Sequence, residues 1–270
     1  MDDSYQLFAI RFATMERTAA ENFLDGDPHN GPMPMDYFVW AAIGAKRAYV
    51  IDTGYNSAVA AKRGRTFLRC PAQTLREIGI EAAAQTDVIL THMHYDHVGN
   101  FDLFPTARFH LQDSEMAFAT GRHMSYRATG GPYEVEDVVG MVRAVFSGRV
   151  KFHAGDVELA PGLSLHHLGG HTMGLQAVRV RTARGWVVLA SDASHYFANM
   201  EQRRPFPILA DVGRVLDGYE RLAALADSPD HIIPGHDPLV RQLYPPASER
   251  LRDVVVRLDA QPASRPRTSP

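Results

Sequence analysis

Short apolar runs separated by glycine, proline and aspartate dominate the first third of the chain. Runs of this length that alternate or carry β-branched residues are typical of strands. The pattern predicts strands at residues 5–12, 37–42, 47–51 and 87–90. Residues 44–46 separate the second run from the third and predict a hairpin. Residues 25–35 carry glycine and proline and predict a long loop, and residues 72–78 predict a helix.

Helical and strand patterns mix irregularly in the rest of the chain. Apolar residues recur at helical spacing in residues 134–146 and 212–226, and we expect a last helix at residues 248–258. Short apolar runs predict strands at residues 157–159, 163–168, 176–180, 186–189 and 231–233. Because strict βαβ alternation is missing, the order favours a layered α/β fold with mixed or antiparallel sheets over a doubly wound parallel sheet.

Composition limits the classes of partner. The chain has 270 residues, of which 45% are hydrophobic, and a net charge of -3. This charge offers no basic surface for nucleic acid or anionic lipid, so we expect neither of these partners and expect a small molecule instead.

We expect one domain over residues 1–260 and a frayed tail over residues 261–270. The oligomeric state stays open, and a dimer is compatible with the sequence.

Cysteine usage and the lack of targeting patterns bear on the compartment. Cys70 is the single cysteine, which excludes an internal disulfide framework and fits a reducing environment. We see no secretory signal in the acidic N-terminus and no apolar segment near the roughly 20 residues of a membrane span. We therefore expect a cytoplasmic protein.

Histidine is unusually frequent, and its spacing suggests a metal site. Residues 92–97 read His-Met-His-Tyr-Asp-His directly after a predicted strand. His92 and His94 project to the same side of an extended chain, while Asp96 and His97 follow as the backbone turns. Imidazole and carboxylate ligands without cysteine suit zinc, and Fe or Mn would also fit. The alternative is a polar loop that carries histidines by chance, but four candidate ligands in six residues favour metal binding.

Three later residues could complete such a site. His171, Asp192 and His236 each follow a predicted apolar strand and lie among small residues that permit close backbone approach. Taken singly, each is more often a capped or solvated polar residue. Together with the first cluster, they indicate a shared site.

The order of these motifs resembles that of the metallo-β-lactamase superfamily of hydrolases. The chain shows His-x-His-x-Asp-His, then Gly-Gly-His-Thr-x-Gly, Ser-Asp and Pro-Gly-His-Asp, after an early Asp52-Thr53-Gly54 turn. The likeness covers roughly residues 37–245. It implies a four-layer αββα sandwich of two mixed sheets, with the site at one edge of both sheets.

The resemblance also implies two divalent metal ions, with zinc as the first expectation. By position in the motifs, one ion would be bound by His92, His94 and His171, the other by Asp96, His97 and His236, with Asp192 bridging both. A hydroxide shared by the ions would attack the substrate carbonyl. Asp96 would orient this hydroxide and pass a proton to the leaving group.

Within the superfamily the chain looks most like the N-acyl homoserine lactonases. The likeness rests on Ser-Asp-Ala-Ser at residues 191–194, Arg-Pro-Phe-Pro at residues 204–207 and the closing Pro-Gly-His-Asp. That family places a tyrosine over the substrate carbonyl directly after the Asp-Ala-Ser run. Here His195 holds this position and Tyr196 follows. We therefore expect His195 or Tyr196 to contact the substrate, unless both pack beneath the site or the substrate differs.

Other activities use the same ligands. A glyoxalase II-like thioesterase is the first alternative, although its usual Gly-Asp-Thr and C-terminal basic cluster are missing here; another small-ester hydrolase is also open. A true β-lactamase fits less well because a bridging aspartate such as Asp192 is not used in that activity, and a non-catalytic metal-binding protein is a minor alternative.

A pocket for an acyl chain would be lined by apolar side chains. The candidates are Met33, Met35, Tyr37, Phe38, Met116, Phe118, Met124, Tyr126 and Tyr133.

Overall fold

Thirteen strands occur in the computed structural model, which describes residues 3–264. In chain order these are β1 (Gln6–Met15), β2 (Met35–Ile43), β3 (Ala48–Ile51), β4 (Thr66–Phe67), β5 (Asp87–Ile89), β6 (Arg108–Gln112), β7 (Val150–His153), β8 (Val157–Ala160), β9 (Leu163–His167), β10 (Gln176–Thr182), β11 (Gly185–Ser191), β12 (Ile232–Pro234) and β13 (Val255–Arg257).

The strands form two sheets of mixed direction. The larger sheet has the order β13-β1-β2-β3-β5-β6-β7, with β4 paired to β1. It is antiparallel from β13 to β3 and parallel from β3 to β7. The smaller sheet has the order β12-β11-β10-β9-β8, and its β11–β12 pair is parallel. Both sheets are mixed, as predicted from the motif resemblance.

The same range contains ten α-helices, several of them one turn long. These are α1 (Ala19–Asn22), α2 (Ser57–Arg63), α3 (Pro71–Glu77), α4 (Tyr95–Val98), α5 (Asp113–Ala119), α6 (Arg127–Gly130), α7 (Val135–Phe146), α8 (Phe197–Glu201), α9 (Val212–Leu225) and α10 (Leu239–Leu243). Local caps define two of them. Asn56 accepts a hydrogen bond from the Val59 amide at the start of α2, and Gly64 ends α2 in the left-handed conformation. Asp211 caps α9 in the same manner as Asn56 caps α2.

Alternating side chains of the strands divide the interior into layers. On β2, Phe38 and Trp40 face the smaller sheet and join the core between the sheets. Val39, one residue away, faces the other side and joins a core that includes Leu75 of α3. The outer face of the smaller sheet is covered by α9 through Leu222. The layers are therefore helices, sheet, sheet and helices, which confirms the predicted αββα sandwich.

The final predicted helix is wrong. Residues 248–258 form a short 3₁₀ turn, Glu249–Leu251, followed by β13. Asp253 has φ of 65°, which interrupts a right-handed helix. Strands β6 and β7, which extend the parallel part of the larger sheet, were not predicted from the sequence.

The tail predicted at residues 261–270 falls mostly on residues 265–270, which lie outside the described residues; residues 261–264 have no helix or strand. Within residues 3–264, none of the helices has the length and apolar character needed to cross a bilayer. The single domain and the cytoplasmic location stay predictions, and the oligomeric state stays open.

Candidate metal centre

Four strands deliver the candidate ligands to one edge of the sandwich. His92 and His94 lie just after β5, and His171 lies in the loop between β9 and β10. Asp192 follows β11 directly, and His236 lies two residues beyond β12. Asp96 and His97 belong to the short helix α4. All seven side chains are buried, and the structure brings all seven together.

The ligand atoms form two neighbouring groups. In the first, atoms of His92, His94, His171 and Asp192 lie within 4.8 Å of one another. In the second, atoms of Asp96, His97 and His236 meet the same limit. The second group has the members that the motif resemblance implied for one ion, and the first has those implied for the other together with Asp192.

Asp192 lies between the two groups. Its Oδ1 is 3.3 Å from His97 Nε2 and 3.0 Å from His236 Nε2. Its Oδ2 is 3.2 Å from His171 Nε2 and 3.9 Å from His92 Nε2. Each carboxylate oxygen thus faces a different group, which is the arrangement a bridging ligand requires.

Hydrogen bonds on the outer side of the rings orient two of the imidazoles. His171 Nδ1 donates to the carbonyl oxygen of Ile208 over 2.7 Å, and His236 Nδ1 donates to that of Asp36 over 2.9 Å. A carbonyl can only accept, so Nδ1 carries the proton in both rings. Nε2 of each ring faces the cluster, and in the neutral ring with its proton on Nδ1 this is the nitrogen that can bind a metal.

Asp52 orients a third imidazole. Its Oδ2 accepts a 2.7 Å hydrogen bond from His97 Nδ1, and its Oδ1 accepts the Thr91 amide over 2.7 Å. The Thr91 hydroxyl also lies 2.9 Å from the hydroxyl of Ser191 and 3.1 Å from His92 Nδ1. Asp52 and Ser191 both have positive φ, 60° and 47°. Backbone strain is therefore concentrated beside the candidate ligands, as is common at functional sites.

The chemistry of the donor set fits divalent metal ions. Nε2 of His92 and Nε2 of His97 are buried and have no hydrogen-bond partner among the described residues. Burial lowers the pKa of His92 and His94 well below its usual range, so both rings are neutral, as metal ligation requires. Burial would raise the pKa of Asp192, but the imidazoles of His195, His236 and the other histidines hold it well below its usual range. Burial would lower the pKa of His97 and His236 as well, but the neighbouring carboxylates, above all Asp192, raise the pKa of both rings. The site thus combines neutral imidazoles, His92 and His94, with two imidazoles that are paired with an ionised carboxylate.

Glu115, on α5, was missed by sequence reasoning although it joins the two ligand loops. Its Oε1 accepts the Met93 amide over 2.8 Å and the Tyr133 hydroxyl over 3.0 Å. Its Oε2 accepts the Thr172 hydroxyl over 2.6 Å and the Gly174 amide over 3.1 Å. A Cβ at residue 174 would collide with the Glu115 backbone, so glycine permits this close approach. No spacing signal marks Glu115, because its partners are distant in sequence.

The structure separates the two neighbouring candidates for substrate contact. His195 Nε2 lies 3.1 Å from Asp192 Oδ2, and its ring stacks on Phe206 at a centroid distance of 3.7 Å. Burial lowers the pKa of His195 to about 3, even though Asp192 opposes this effect. The Tyr196 hydroxyl instead lies 3.3 Å from the carbonyl oxygen of Pro34. His195 is at the cluster, whereas Tyr196 packs in the core beside it.

A cavity of about 300 Å³ opens onto the cluster. Its inner wall is lined by His94, Asp96, His171, Asp192, His195 and His236. Of the apolar residues proposed for an acyl pocket, Met35 and Tyr37 line this cavity. Phe118 and Tyr133 pack into the core on the helix side of the larger sheet, and Phe38 packs between the sheets. The remaining wall includes a set of arginines: Arg17, Arg63, Arg65 and Arg127.

The αββα sandwich carries at its edge a histidine–aspartate cluster that is suited to metal ions. Residues 34–238 match the family model described as Metallo-beta-lactamase superfamily. The chain belongs to this superfamily, which confirms the resemblance predicted from the motif order.

Curated relatives support the resemblance to the N-acyl homoserine lactonases within this superfamily. The chain is 32% identical over 136 residues to N-acyl homoserine lactonase AiiB of Agrobacterium fabrum, a match that covers 47% of each protein. It is 28% identical over 165 residues to N-acyl homoserine lactonase AiiA of Bacillus thuringiensis subsp. kurstaki, covering 60% of each. The matched region thus spans about half the length of these relatives.

Solved structures agree on the fold. A structure described as a quorum-quenching N-acyl homoserine lactone lactonase superposes with a TM-score of 0.73 at 22% identity, covering 88% of this chain and 94% of that one. AidC, described as a dizinc quorum-quenching lactonase, superposes with a TM-score of 0.66 at 15% identity, covering 87% and 92%. At these identities the likeness establishes the shared architecture.

Proposed function

We propose that the protein is a dinuclear metal-dependent hydrolase that opens the ring of a small lactone, such as an N-acyl homoserine lactone. The position of Asp192 carries this proposal. A carboxylate with each oxygen turned to a separate set of imidazoles is suited to join two ions, whereas a structural zinc site is normally closed and four-coordinate. The names of the curated relatives support the lactone as substrate.

We assign the seven ligands as the motif order implied. One ion would be held by His92, His94 and His171, the second by Asp96, His97 and His236, with Asp192 between them. Zinc is the first expectation because imidazoles dominate the set, and Fe or Mn would also fit. When bound, two such ions lower the pKa of a shared water and polarise the ester carbonyl.

Asp96 is placed to transfer the proton that hydrolysis requires. Hydrolysis adds water across the ester, so the carbonyl carbon gains an oxygen, the ring C–O bond breaks and a proton reaches the leaving alcohol. Asp96 lines the cavity and belongs to the second ligand group. Its carboxylate is suited to take the proton of the attacking water and to return it to the departing oxygen.

His195 is suited to stabilise the carbonyl oxygen of the substrate. Its ring lines the cavity and is held by stacking on Phe206. A neutral imidazole carries one N–H that can donate to the developing oxyanion, and a fixed donor avoids reorganisation during the reaction. Tyr196 would support the wall from behind, because its hydroxyl is directed at the backbone of residues 33 and 34.

Metal analysis coupled to a hydrolysis screen tests the proposed function. The purified protein is expected to contain two equivalents of metal and to hydrolyse acyl homoserine lactones or γ-lactones faster than thioesters. Asp192→Ala should lose at least half of the metal and all turnover. Preference for thioesters would favour the glyoxalase II-like alternative. Full metal loading without hydrolysis of any lactone, ester or thioester would favour a binding protein.

A second comparison tests the two neighbouring residues. His195→Ala should lower kcat by at least about tenfold, since one oxyanion donor contributes this much or more. Tyr196→Phe should stay close to the wild-type rate, because it removes only the contact with the Pro34 carbonyl. Metal content must be measured in both variants, since His195 Nε2 also lies near Asp192 and His236. Equal loss of rate in both variants would contradict the assignment to His195.

A further inference from the structure

The wall of the cavity is more basic than a pocket for a neutral acyl chain requires. Four arginines line it, and the carboxylates on the same wall are Asp96 and Asp192. Both carboxylates belong to the ligand groups, so bound ions would take up their charge. The arginines therefore lack a permanent counter-charge on this wall.

Arg63 is the exception among the four. Its Nε lies 2.8 Å from Glu134, which also pairs with Lys62 over 2.6 Å. Its NH2 group donates to the carbonyl oxygens of Gly131 and Tyr133. Arg63 thus ties α2 to the segment before α7, and its charge is compensated.

Arg65 approaches the cluster from the side of α4. Its Nε donates to the Tyr95 hydroxyl over 3.1 Å, and its NH1 donates to the carbonyl oxygen of Arg63 over 2.8 Å. Tyr95 stands between the candidate ligands His94 and Asp96 in sequence. Within residues 3–264 the Arg65 guanidinium forms no ion pair, and its NH2 group has no hydrogen-bond partner. The side chain is half-buried, so its charge is only partly hydrated.

Arg17 approaches from the side of His195. Its guanidinium carbon lies 5.1 Å from the centre of the Phe206 ring, on which His195 stacks. Its Nε and NH2 groups donate to the Asn22 side chain and to the Glu21 carbonyl oxygen. These bonds fix the guanidinium without forming an ion pair, since no carboxylate oxygen of residues 3–264 lies within 4.0 Å of its nitrogens. The exposed Glu21 carboxylate faces Arg17 at longer range but is itself bound to Thr18.

We propose that the preferred substrate is an acidic lactone, one that carries a carboxylate beyond the bond that is cleaved, and that Arg65 and Arg17 bind this carboxylate. The inference rests on the proposed lactonase function and narrows its substrate class. A guanidinium matches the geometry of a carboxylate and forms strong charge-assisted hydrogen bonds with it. Asp96, the carboxylate that faces Arg65 at longer range, would share its charge with a bound ion, and an acidic substrate would then supply a counter-charge to the guanidinium. Arg127, exposed at the rim, would add attraction at longer range.

Matched pairs of lactones test this preference on the metal-loaded enzyme. The pairs are N-butanoyl with N-succinoyl, N-hexanoyl with N-adipoyl, and N-octanoyl with N-suberoyl homoserine lactone. In each pair the terminal methyl group is replaced by a carboxylate at the same chain length. For at least one pair, kcat/KM should be about tenfold or more higher for the acidic lactone, mainly through KM. Rising sodium chloride concentration should reduce the ratio.

Variants locate the effect. Arg65→Met should lower the acidic-over-neutral ratio of kcat/KM by about tenfold. Arg17→Met should lower it in the same direction, and Arg65→Lys should restore part of it because a positive charge returns. Arg122→Met is the matched control, since Arg122 is exposed and lies outside the cavity wall. It should keep the wild-type ratio and rate.

A binding titration separates this inference from the proposed function. Adipate and hexanoate are titrated calorimetrically into the metal-loaded protein, so that both acids offer one carboxylate to the metals. Adipate should bind about tenfold more tightly than hexanoate in the wild type, and this advantage should disappear in Arg65→Met. Equal binding of the two acids together with equal hydrolysis of the lactone pairs would overturn the inference and leave the lactonase intact. If no lactone is hydrolysed, the proposed function fails, and the titration alone decides whether the carboxylate site exists.

Discussion

The carboxylate of Glu115 accepts a 2.6 Å hydrogen bond from the Thr172 hydroxyl and so joins two loops that carry candidate metal ligands. Thr172 follows His171, and Met93, whose amide also donates to Glu115, lies between His92 and His94. Glu115 is fully buried, and burial raises its pKa although four donors oppose this effect. One side chain from α5 thereby fixes the spacing of the first ligand group.

Glu115→Gln should destabilise the protein and weaken metal binding. A glutamine amide places its NH2 group against two donors that the carboxylate accepted, and a buried mismatch of this kind costs about 3 kcal/mol. Urea unfolding of the metal-loaded variant measures the loss, and metal analysis should show less than two equivalents bound. Glu136→Gln, at an exposed position on α7, is the control and should match the wild type. Full metal content and unchanged stability in Glu115→Gln would contradict the positioning role.

Asp52→Asn should reduce metal affinity without unfolding the chain. The Asp52 carboxylate accepts from His97 Nδ1 over 2.7 Å and thereby directs His97 Nε2 toward the cluster. An asparagine can present its NH2 group to Nδ1 instead, which favours the wrong tautomer. Loss of such an outer partner typically lowers metal affinity by about tenfold to hundredfold. Competition with a chromophoric chelator measures this affinity, with the exposed Asp102→Asn as control; equal affinities in the two variants would argue against an orienting role.

The candidate metal ligands can be predicted from sequence because strand ends alone bring them together. Asp192 follows β11 and His236 follows β12, and these strands are parallel neighbours. His92 and His94 follow β5 in the other sheet, at the same edge of the sandwich. Each is a ligand-type residue directly after a short apolar run, which is a local signal that sequence reasoning can detect.

Glu115 and Arg65 carry no comparable local signal. A single glutamate in a short helix looks like a solvated surface residue, and its burial depends on Met93 and Thr172, which the fold brings near. Arg65 follows α2 and reaches the cavity only because Tyr95 accepts its hydrogen bond. Such roles are set by packing between distant segments, so one sequence does not reveal them.

Residues 248–258 were predicted to form a helix, but pairing with another strand makes part of this segment a strand. Val254, Val255 and Val256 favour a strand, since β-branched side chains suit a pleated surface. Ile10 of β1 pairs with Val255 and supplies the partner that an isolated segment lacks. The edge of the larger sheet therefore decided the conformation.

Metal removal should destabilise the protein strongly. The two ligand groups bury imidazoles and carboxylates that have few other partners, so ion binding contributes to folding. At free metal about 1,000-fold above Kd, linkage predicts about 4 kcal/mol of stabilisation, or a Tm change of about 10 °C. Scanning calorimetry with and without a chelator measures this change. Zinc, but not magnesium, should restore Tm because the ligands are mainly nitrogen. An unchanged Tm in the chelated protein would contradict a bound metal centre.

Outside the candidate metal site, a buried histidine pair should make stability depend on pH. His110 Nδ1 lies 3.0 Å from His153 Nε2, and the planes of the two rings are nearly parallel, with an angle of 4° between them. On its other side, His110 Nε2 lies 3.2 Å from Asp87 Oδ1. Burial and the neighbouring His110 lower the pKa of His153 to about 4, below the value near 6.5 of an unfolded chain. Between about pH 4 and about pH 6.5 the His153 side chain is therefore protonated in the unfolded chain and neutral in the folded chain. The free energy of unfolding is therefore undiminished above about pH 6.5 and falls as the pH drops toward 4.

His153→Gln should reduce this pH dependence, because glutamine keeps an N–H donor toward His110 and does not titrate. Between pH 7 and pH 5 the variant should lose about 1–2 kcal/mol less stability than the wild type. Urea unfolding of the metal-loaded proteins at both pH values measures the difference, and comparison at identical metal ligands cancels their own titration. His29→Gln, at a side chain that is 95% exposed, should retain the wild-type pH dependence. A His153→Gln variant that loses as much stability as the wild type would show that the pair accepts its protons without cost to the fold.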